Sequence, residues 1–308
     1  MTLAFIACTE AGNLENQSTL LFRSIRKFGG QFKNMPIHSL QPRRGPTLKT
    51  ETFQIFDQLE VQHHTEILNT AYEEFPRTNK IFACAWAEEF LPEDILVFLD
   101  SDTLFINEPD ELLLPQQIGV GIRPVDSKNI ASSGPDDCYE PYWQKVYSIC
   151  QVPEPPYIQT SIDQQTIRAC WNSGLVAVQR NLGLFHQWRH HFMTLMRARH
   201  FPPVARRPNI GIPFLDQIAL SATLARVFER IQMLPYRYNY CLSKRPIMPV
   251  PYRNVPLEAL VHLHYHQWFN KPDYLAALTP GFNQQSPIYQ WITNFLPFRP
   301  TIDDPLRC

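Results

Sequence analysis

The sequence of 308 residues predicts an α/β fold, a mainly parallel central sheet flanked by helices. Three observations lead there. The chain opens on a short apolar run followed by a stretch of helical periodicity. A second run, Ile95 to Leu99, is wholly apolar and lies between acidic residues, as a strand buried on both faces must be. Strand-like and helix-like stretches then alternate through the first half of the chain.

Taken in order, Leu3 to Cys8 is the first strand, and Ser18 to Phe28 is a helix with Leu20, Leu21 and Ile25 at helical spacing until Gly29-Gly30 stops it. Thr65 to Tyr72 and Asn79 to Phe90 have helical patterns, the second ending before Pro92. Asp94 to Asp100 follows as the central strand. Residues 124–157 are rich in Asp, Ser, Pro and aromatics, with a turn at Ser132 to Asp137 and a helix expected near Tyr142 to Ile149. They are expected to form a mobile insert beside the site. Leu175 to Val178 is a further strand, and Leu184 to Arg199 and Phe214 to Phe228 are helices. Pro280, Pro287, Pro297, Pro300 and Pro305 predict that residues 276–308 form a tail packed on a domain spanning 1–275, itself divided near residue 123.

Composition narrows the function. Hydrophobic residues make up 44% of the chain, enough for a substantial core, and 28 basic against 29 acidic residues leave no electrostatic footprint for nucleic acid. Seven scattered cysteines form no C-x-x-C pair, which predicts neither a disulfide framework nor a zinc ribbon and fits a cytoplasmic protein. The opening apolar run has no basic flank and is too short to cross a membrane, and no later run is long enough.

The sharpest chemical feature is Asp100-Ser101-Asp102-Thr103 at the end of the central strand. Ligands of open α/β sheets sit beyond such strand ends, and two carboxylates there make a hard oxygen site for Mn²⁺ or Mg²⁺ holding a diphosphate. The plainer reading is a turn after a strand. Far along the chain, His262, His264 and His266 share one face if Leu260 to His266 is a strand. One of the three is the expected metal ligand; hydrogen-bonded core histidines are the alternative. Asp216 is either a carboxylate beside a reacting carbon or an acid in the first turn of a helix. The basic, His-rich stretch Trp188 to His200 is most simply a solvated helix face, and Gly119-Val120-Gly121 lacks the third glycine of a dinucleotide loop.

Phe98-Leu99-Asp100-Ser101-Asp102, Trp171-Asn172-Ser173-Gly174-Leu175, Leu215-Asp216-Gln217-Ile218 and His264-Tyr265 followed by Lys271-Pro272 occur in an order that resembles glycosyltransferase family 8, the glycogenin and bacterial galactosyltransferase group. The likeness spans roughly residues 3–275. It departs from the family's H-x-x-G-x-x-K-P spacing, having no glycine there and one residue more between His264 and Lys271. The resemblance implies a GT-A fold and a metal-dependent hexosyl transfer from a nucleoside-diphosphate sugar, UDP-sugar favoured, to a glycan, lipid or small-molecule acceptor, with retention of configuration. It further implies Asp100, Asp102 and His264 as metal ligands, with His262 or His266 as substitutes. Thr9, Glu10, Lys80, Ser101, Asn172, Ser173, Gly174 and Lys271 would join Asp100 in holding the donor, and Asp216 and Gln217 would lie beside the anomeric carbon. Two rivals remain from the residues. A haloacid-dehalogenase-like phosphohydrolase also places Asp-x-Asp after a strand, but it needs Thr where Leu104 stands. A protein that binds nucleotide sugar or polysaccharide without turnover would keep the same fold.

Overall fold

The computed structural model describes residues 1–198 and 214–298. Its main sheet has seven strands: β1 (Leu3–Cys8), β2 (Ile37–Leu40), β3 (Val61–His64), β4 (Ile95–Leu99), β6 (Val120–Pro124), β9 (Trp171–Gln179) and β10 (Ile231–Met233). Their order is β10-β6-β9-β4-β1-β2-β3. All neighbours pair in parallel except β9, which runs antiparallel to both β4 and β6. The C-terminal ends of β1, β4 and β6 and the N-terminal end of β9 therefore share one edge of the sheet.

Every residue of Ile95–Leu99 is buried, and successive side chains go to opposite layers. Leu96 and Phe98 pack with α3 (Asn79–Phe90), α4 (Glu140–Cys150), α5 (Leu184–Arg197) and α6 (Leu215–Leu224). Ile95, Val97 and Leu99 pack with α1 (Asn13–Phe28) and α2 (Thr50–Gln58). Covering both faces requires a continuous apolar run, which is why this strand has no polar alternation. A small second sheet joins β5 (Thr103–Phe105), β11 (Tyr240–Cys241) and β12 (His262–His264). β12 pairs antiparallel with β5, setting His264 opposite Thr103. This pairing brings the distant histidines to the aspartates.

Three expectations need correction. Thr65 to Tyr72 is not a helix: the N–H groups of Leu68 and Asn69 donate to Pro42 O, and the buried Asn69 side chain donates to Tyr72 O, Thr78 Oγ1 and Asn79 Oδ1. The amide side chain thus supplies an alternative to helical bonding. The 124–157 segment is not a loose insert, because Tyr142, Trp143, Val146 and Tyr147 of α4 are buried in the main core. It also runs into a hairpin of β7 (Tyr157–Gln159) and β8 (Thr166–Arg168). The strand expected over Leu175 to Val178 is longer at both ends, β9 running from Trp171 to Gln179, so that Trp171 to Gly174 belong to the strand.

The helix expected from Phe214 ends at Leu224 and continues as a 3-10 turn to Arg230; residues 199–213 and 299–308 lie outside the described residues. In the final segment, Phe282, Tyr289, Ile292 and Phe298 are buried against Leu104, Tyr265 and Phe269.

Candidate functional site

Asp100 and Asp102 follow β4 directly. Thr103 Oγ1 donates to Asp100 O at 2.6 Å, and Tyr265 N–H donates to Asp102 O at 3.1 Å, so the turn is fixed from both sides. His264 comes in from β12 with Nε2 3.3 Å from Asp102 Oδ1. Ligand atoms of Asp100, Asp102 and His264 all lie within 4.8 Å of one another. Gly174 makes room for this: a Cβ there would stand 2.9 Å from His264 Cε1 and 3.0 Å from Nδ1, and Gly174 O accepts from Asp100 N–H. Any other residue would force the imidazole to shift from this position.

Lys80, at the start of α3, joins this cluster to a second one. Its Nζ is 2.6 Å from Asp100 Oδ1, 3.5 Å from Asp216 Oδ2 and 3.2 Å from Ser173 Oγ. Ser173 Oγ donates to Asp216 Oδ2 at 3.0 Å, and Ser173 N–H reaches Gln217 Oε1 at 3.4 Å. Trp188 Nε1–H donates to Asp216 O at 2.9 Å and anchors the first turn of α6. Residues from five separate stretches, around Lys80, Asp100, Ser173, Asp216 and His264, thus meet at one edge of the sheet.

The sequence from residue 5 to residue 227 matches the family model described as the Rhodobacterales glycosyltransferase domain. The chain belongs to this glycosyltransferase family. It is therefore a glycosyltransferase, and the phosphohydrolase and non-catalytic readings fall. Among solved structures it is similar to the apo structure of the WbbM bifunctional glycosyltransferase, at 13% identity and a TM-score of 0.52, covering 96% of this chain and 52% of that one. The chain thus spans about half the length of that protein. It is also similar to the apo form of mouse xyloside xylosyltransferase 1, at 12% identity and a TM-score of 0.47, over 86% of this chain and 97% of that one. No curated protein matches it. The fold is of the GT-A type.

Electrostatics of the glycosyltransferase site follow from burial and pairing. Burial works against the Lys80 ammonium, but Asp100 and Asp216 outweigh it and raise its pKa. Asp100 is raised by its own burial despite Lys80, whereas for Asp102 burial is outweighed by His264 and the pKa falls well below the carboxylate range. His264 shows the reciprocal effect: burial lowers it, Asp102 outweighs burial, and the net direction is up.

The donor set fits a hard divalent ion. Two carboxylates supply oxygen, and His264 Nδ1 is hydrogen-bonded to Asn239 Oδ1 at 2.9 Å. That bond puts a proton on Nδ1 and points Nε2 at the aspartates as the atom that would bind a metal on losing its own proton, the usual support of a metal-binding imidazole. His262 is turned otherwise, its Nδ1 accepting from Asn239 N–H at 3.3 Å and its ring against Phe105. His266 lies just past the end of β12, its ring stacked on His264 at 4.0 Å between centroids.

The other sequence-derived residues are placed as follows. Thr9 is fully buried, its hydroxyl bonded in a chain with those of Ser18 and Ser39. Glu10 is clamped by Arg43, with Nε and Nη2 donating at 2.6 and 2.7 Å, and by Asn79 Nδ2 at 2.7 Å. Ser101 Oγ donates to Gln17 Oε1, and Asn172 Oδ1 accepts from Gly174 N–H. Lys271 is exposed, its ammonium 4.3 Å from the centroid of Trp268. Sequence reasoning missed Asn239 and Arg43. Neither sits in a periodic pattern or motif; an Asn between two tyrosines gives no signal until its positive φ of 47° and its bond to His264 are seen.

Proposed function

We propose that this glycosyltransferase moves a hexose from a nucleoside-diphosphate sugar, UDP-sugar favoured, to a hydroxyl of a glycan, lipid or small-molecule acceptor, with retention, in the manner of family 8. The observation that carries the reading is the convergence of Asp100, Asp102 and His264 with Lys80 and Asp216 alongside. Mn²⁺ or Mg²⁺ bound by the first three would neutralise charge growing on the diphosphate as its bond to the sugar breaks.

The chain's own residues supply the rest. Lys80 presents a fixed positive charge beside the same oxygens, and Lys271 meets the diphosphate from the exposed side. Glu10, held rigid by Arg43, and the backbone after Thr9 take the nucleoside end, while Ser101, Asn172, Ser173 and Gly174 line the donor sugar. Asp216 is aimed by Ser173 and Lys80 toward the anomeric carbon, where its carboxylate stabilises the positive charge of an oxocarbenium-like transition state, with Gln217 beside it. Residues 1–275 would form the catalytic domain and 276–308 a tail to it, in a cytoplasmic protein. The six described cysteines are free, which favours that compartment; no described helix is long and apolar enough to cross a membrane.

The test is release of nucleoside diphosphate from a panel of UDP-, GDP- and CDP-hexoses with Mn²⁺, with and without excess EDTA. A UDP-hexose should turn over only when metal is present. Full activity in EDTA would overturn the metal-dependent reading.

A further inference from the structure

Ile247 is 66% exposed and Val250 55%, among the largest exposures of any apolar side chain in the described residues. Both stand on one proline-rich segment, Pro246-Ile247-Met248-Pro249-Val250-Pro251, where Pro246 and Pro251 are exposed with them. The segment joins a 3-10 turn over Leu242–Ile247 to a helical turn over Val250–Arg253. It is held firmly from below. Leu242 and Met248 are buried in the core beneath it, and the buried Arg245 ties it down, with Nε donating to Pro280 O at 2.8 Å and Nη1 to Tyr240 Oη and Val255 O at 2.9 and 3.1 Å. The fold therefore fixes Ile247 and Val250 outward, together and among exposed prolines, which is the mark of a contact surface and not of scattered apolar residues.

Charge selects the occupant. From Arg230 to Leu257 the chain carries five basic residues and no acidic one, although the whole protein has a net charge of −1. Lys244 and Arg253 flank the apolar patch, and neither forms an ion pair among the described residues. A symmetric contact with a second copy would set this basic face against itself, and the cores of protein interfaces are poor in lysine. Apolar side chains ringed by Lys and Arg instead have the composition of an interfacial anchor, with the cations at anionic headgroups and the apolar groups just below them. The prolines suit that surrounding, because they bring no N–H that would lose its water without a partner.

We infer that Pro246 to Pro251 form a wedge that docks on an anionic membrane surface, Ile247 and Val250 entering the headgroup boundary and Lys244 and Arg253 meeting lipid phosphates. The wedge starts directly after β11, whose Cys241 lies beside His264 in the register of the small sheet. Docking there favours a lipid among the proposed acceptors. That consequence rests on the proposed transfer, whereas the docking itself does not and is measured without donor.

The full chain is floated with vesicles of phosphatidylcholine alone, or with about one third phosphatidylglycerol, at low and high salt. It should bind the anionic vesicles about tenfold or more tighter than the neutral ones, and high salt should weaken that binding. Ile247→Ser with Val250→Ser should lower the partition about tenfold, and Lys244→Gln with Arg253→Gln by about the same factor, with the melting midpoint unchanged in both. Phe90→Ser removes a comparably exposed side chain, 61%, from the far end of α3 and should leave binding unchanged. Absence of binding to anionic vesicles, equal binding to neutral ones, unchanged binding in both double variants, or an equal loss in Phe90→Ser overturns the inference. A dimer in analytical ultracentrifugation that the Ile247 and Val250 substitutions break, with vesicle binding kept, assigns the face to a second copy and also overturns it. Failure of every UDP-hexose to turn over sinks the proposed transfer and leaves the docking standing.

Discussion

Replacing Lys80 with methionine keeps the length of the side chain and removes its charge. In the structure that charge sits 2.6 Å from Asp100 and 3.5 Å from Asp216, with the three side chains 11%, 23% and 6% exposed. At an effective dielectric of about 20 the two attractions are roughly 6 and 5 kcal/mol before desolvation. Desolvation returns most of this, and the net cost of deleting one member of a buried pair is about 3–5 kcal/mol. For a chain of this length the melting midpoint in EDTA should drop by roughly 5–8 °C. Saturating Mn²⁺ with UDP should then raise the midpoint more in Lys80→Met than in the unaltered protein. In the latter the ion must share Asp100 with an ammonium; in the variant it takes over the compensation of that carboxylate, and whatever binds only the folded state stabilises it. Differential scanning fluorimetry of both proteins in EDTA and in Mn²⁺-UDP gives the comparison. A variant within about 1 kcal/mol of the original in EDTA would refute the energetic argument, and an equal or smaller metal-dependent rise would refute the shared position.

Three further outcomes are expected. Asp216→Asn should lower kcat by roughly a hundredfold or more while donor KM stays within a few-fold, the mark of an interaction made mainly in the transition state; steady-state kinetics that shift KM instead would make Asp216 a donor-binding residue only. An α-linked donor should give an α-linked product, read from the first-formed anomer by NMR, and a β-linked product would turn Asp216 into the candidate general base of an inverting enzyme. Burial, aided by His64 in one case and His190 in the other, pushes His38 and His191 down to about 4. Both are neutral when folded and take up a proton near pH 6.5 when unfolded. Their contribution is thus present above pH 6.5 and is lost as pH falls through 4, on the order of 2 kcal/mol each. Urea midpoints at pH 7 and 4.5 should show the loss, reduced in His191→Gln; a flat profile would contradict it.

What the sequence made legible was whatever is set by local pattern. Ile95 to Leu99 could be read as a central strand because both its faces are covered, and Asp100 and Asp102 followed from its end. The direction of β9 was not legible, because side-chain alternation is the same in parallel and antiparallel strands. Its beginning at Trp171 was hidden by Asn172, Ser173 and Gly174, polar or small residues that look like a loop but face the site. The expected helix from Thr65 failed because the alternative bonding of Asn69 depends on Thr78 and Asn79, several residues on. The three histidines were found by spacing, yet their separate fates are tertiary: Phe105 beside His262, Asn239 on His264, and a strand that stops before His266.

The metal centre itself is tested most directly by titrating Mn²⁺ into the protein and into His262→Ala, His264→Ala and His266→Ala, each in the presence of UDP, by isothermal calorimetry. One ion should bind per chain. Affinity should fall tenfold or more in His264→Ala, as expected when a ligand is removed, and stay within a few-fold in the other two. No saturable binding in the unaltered protein, or a larger loss at His262 or His266 than at His264, would contradict the assignment of Asp100, Asp102 and His264 as the centre.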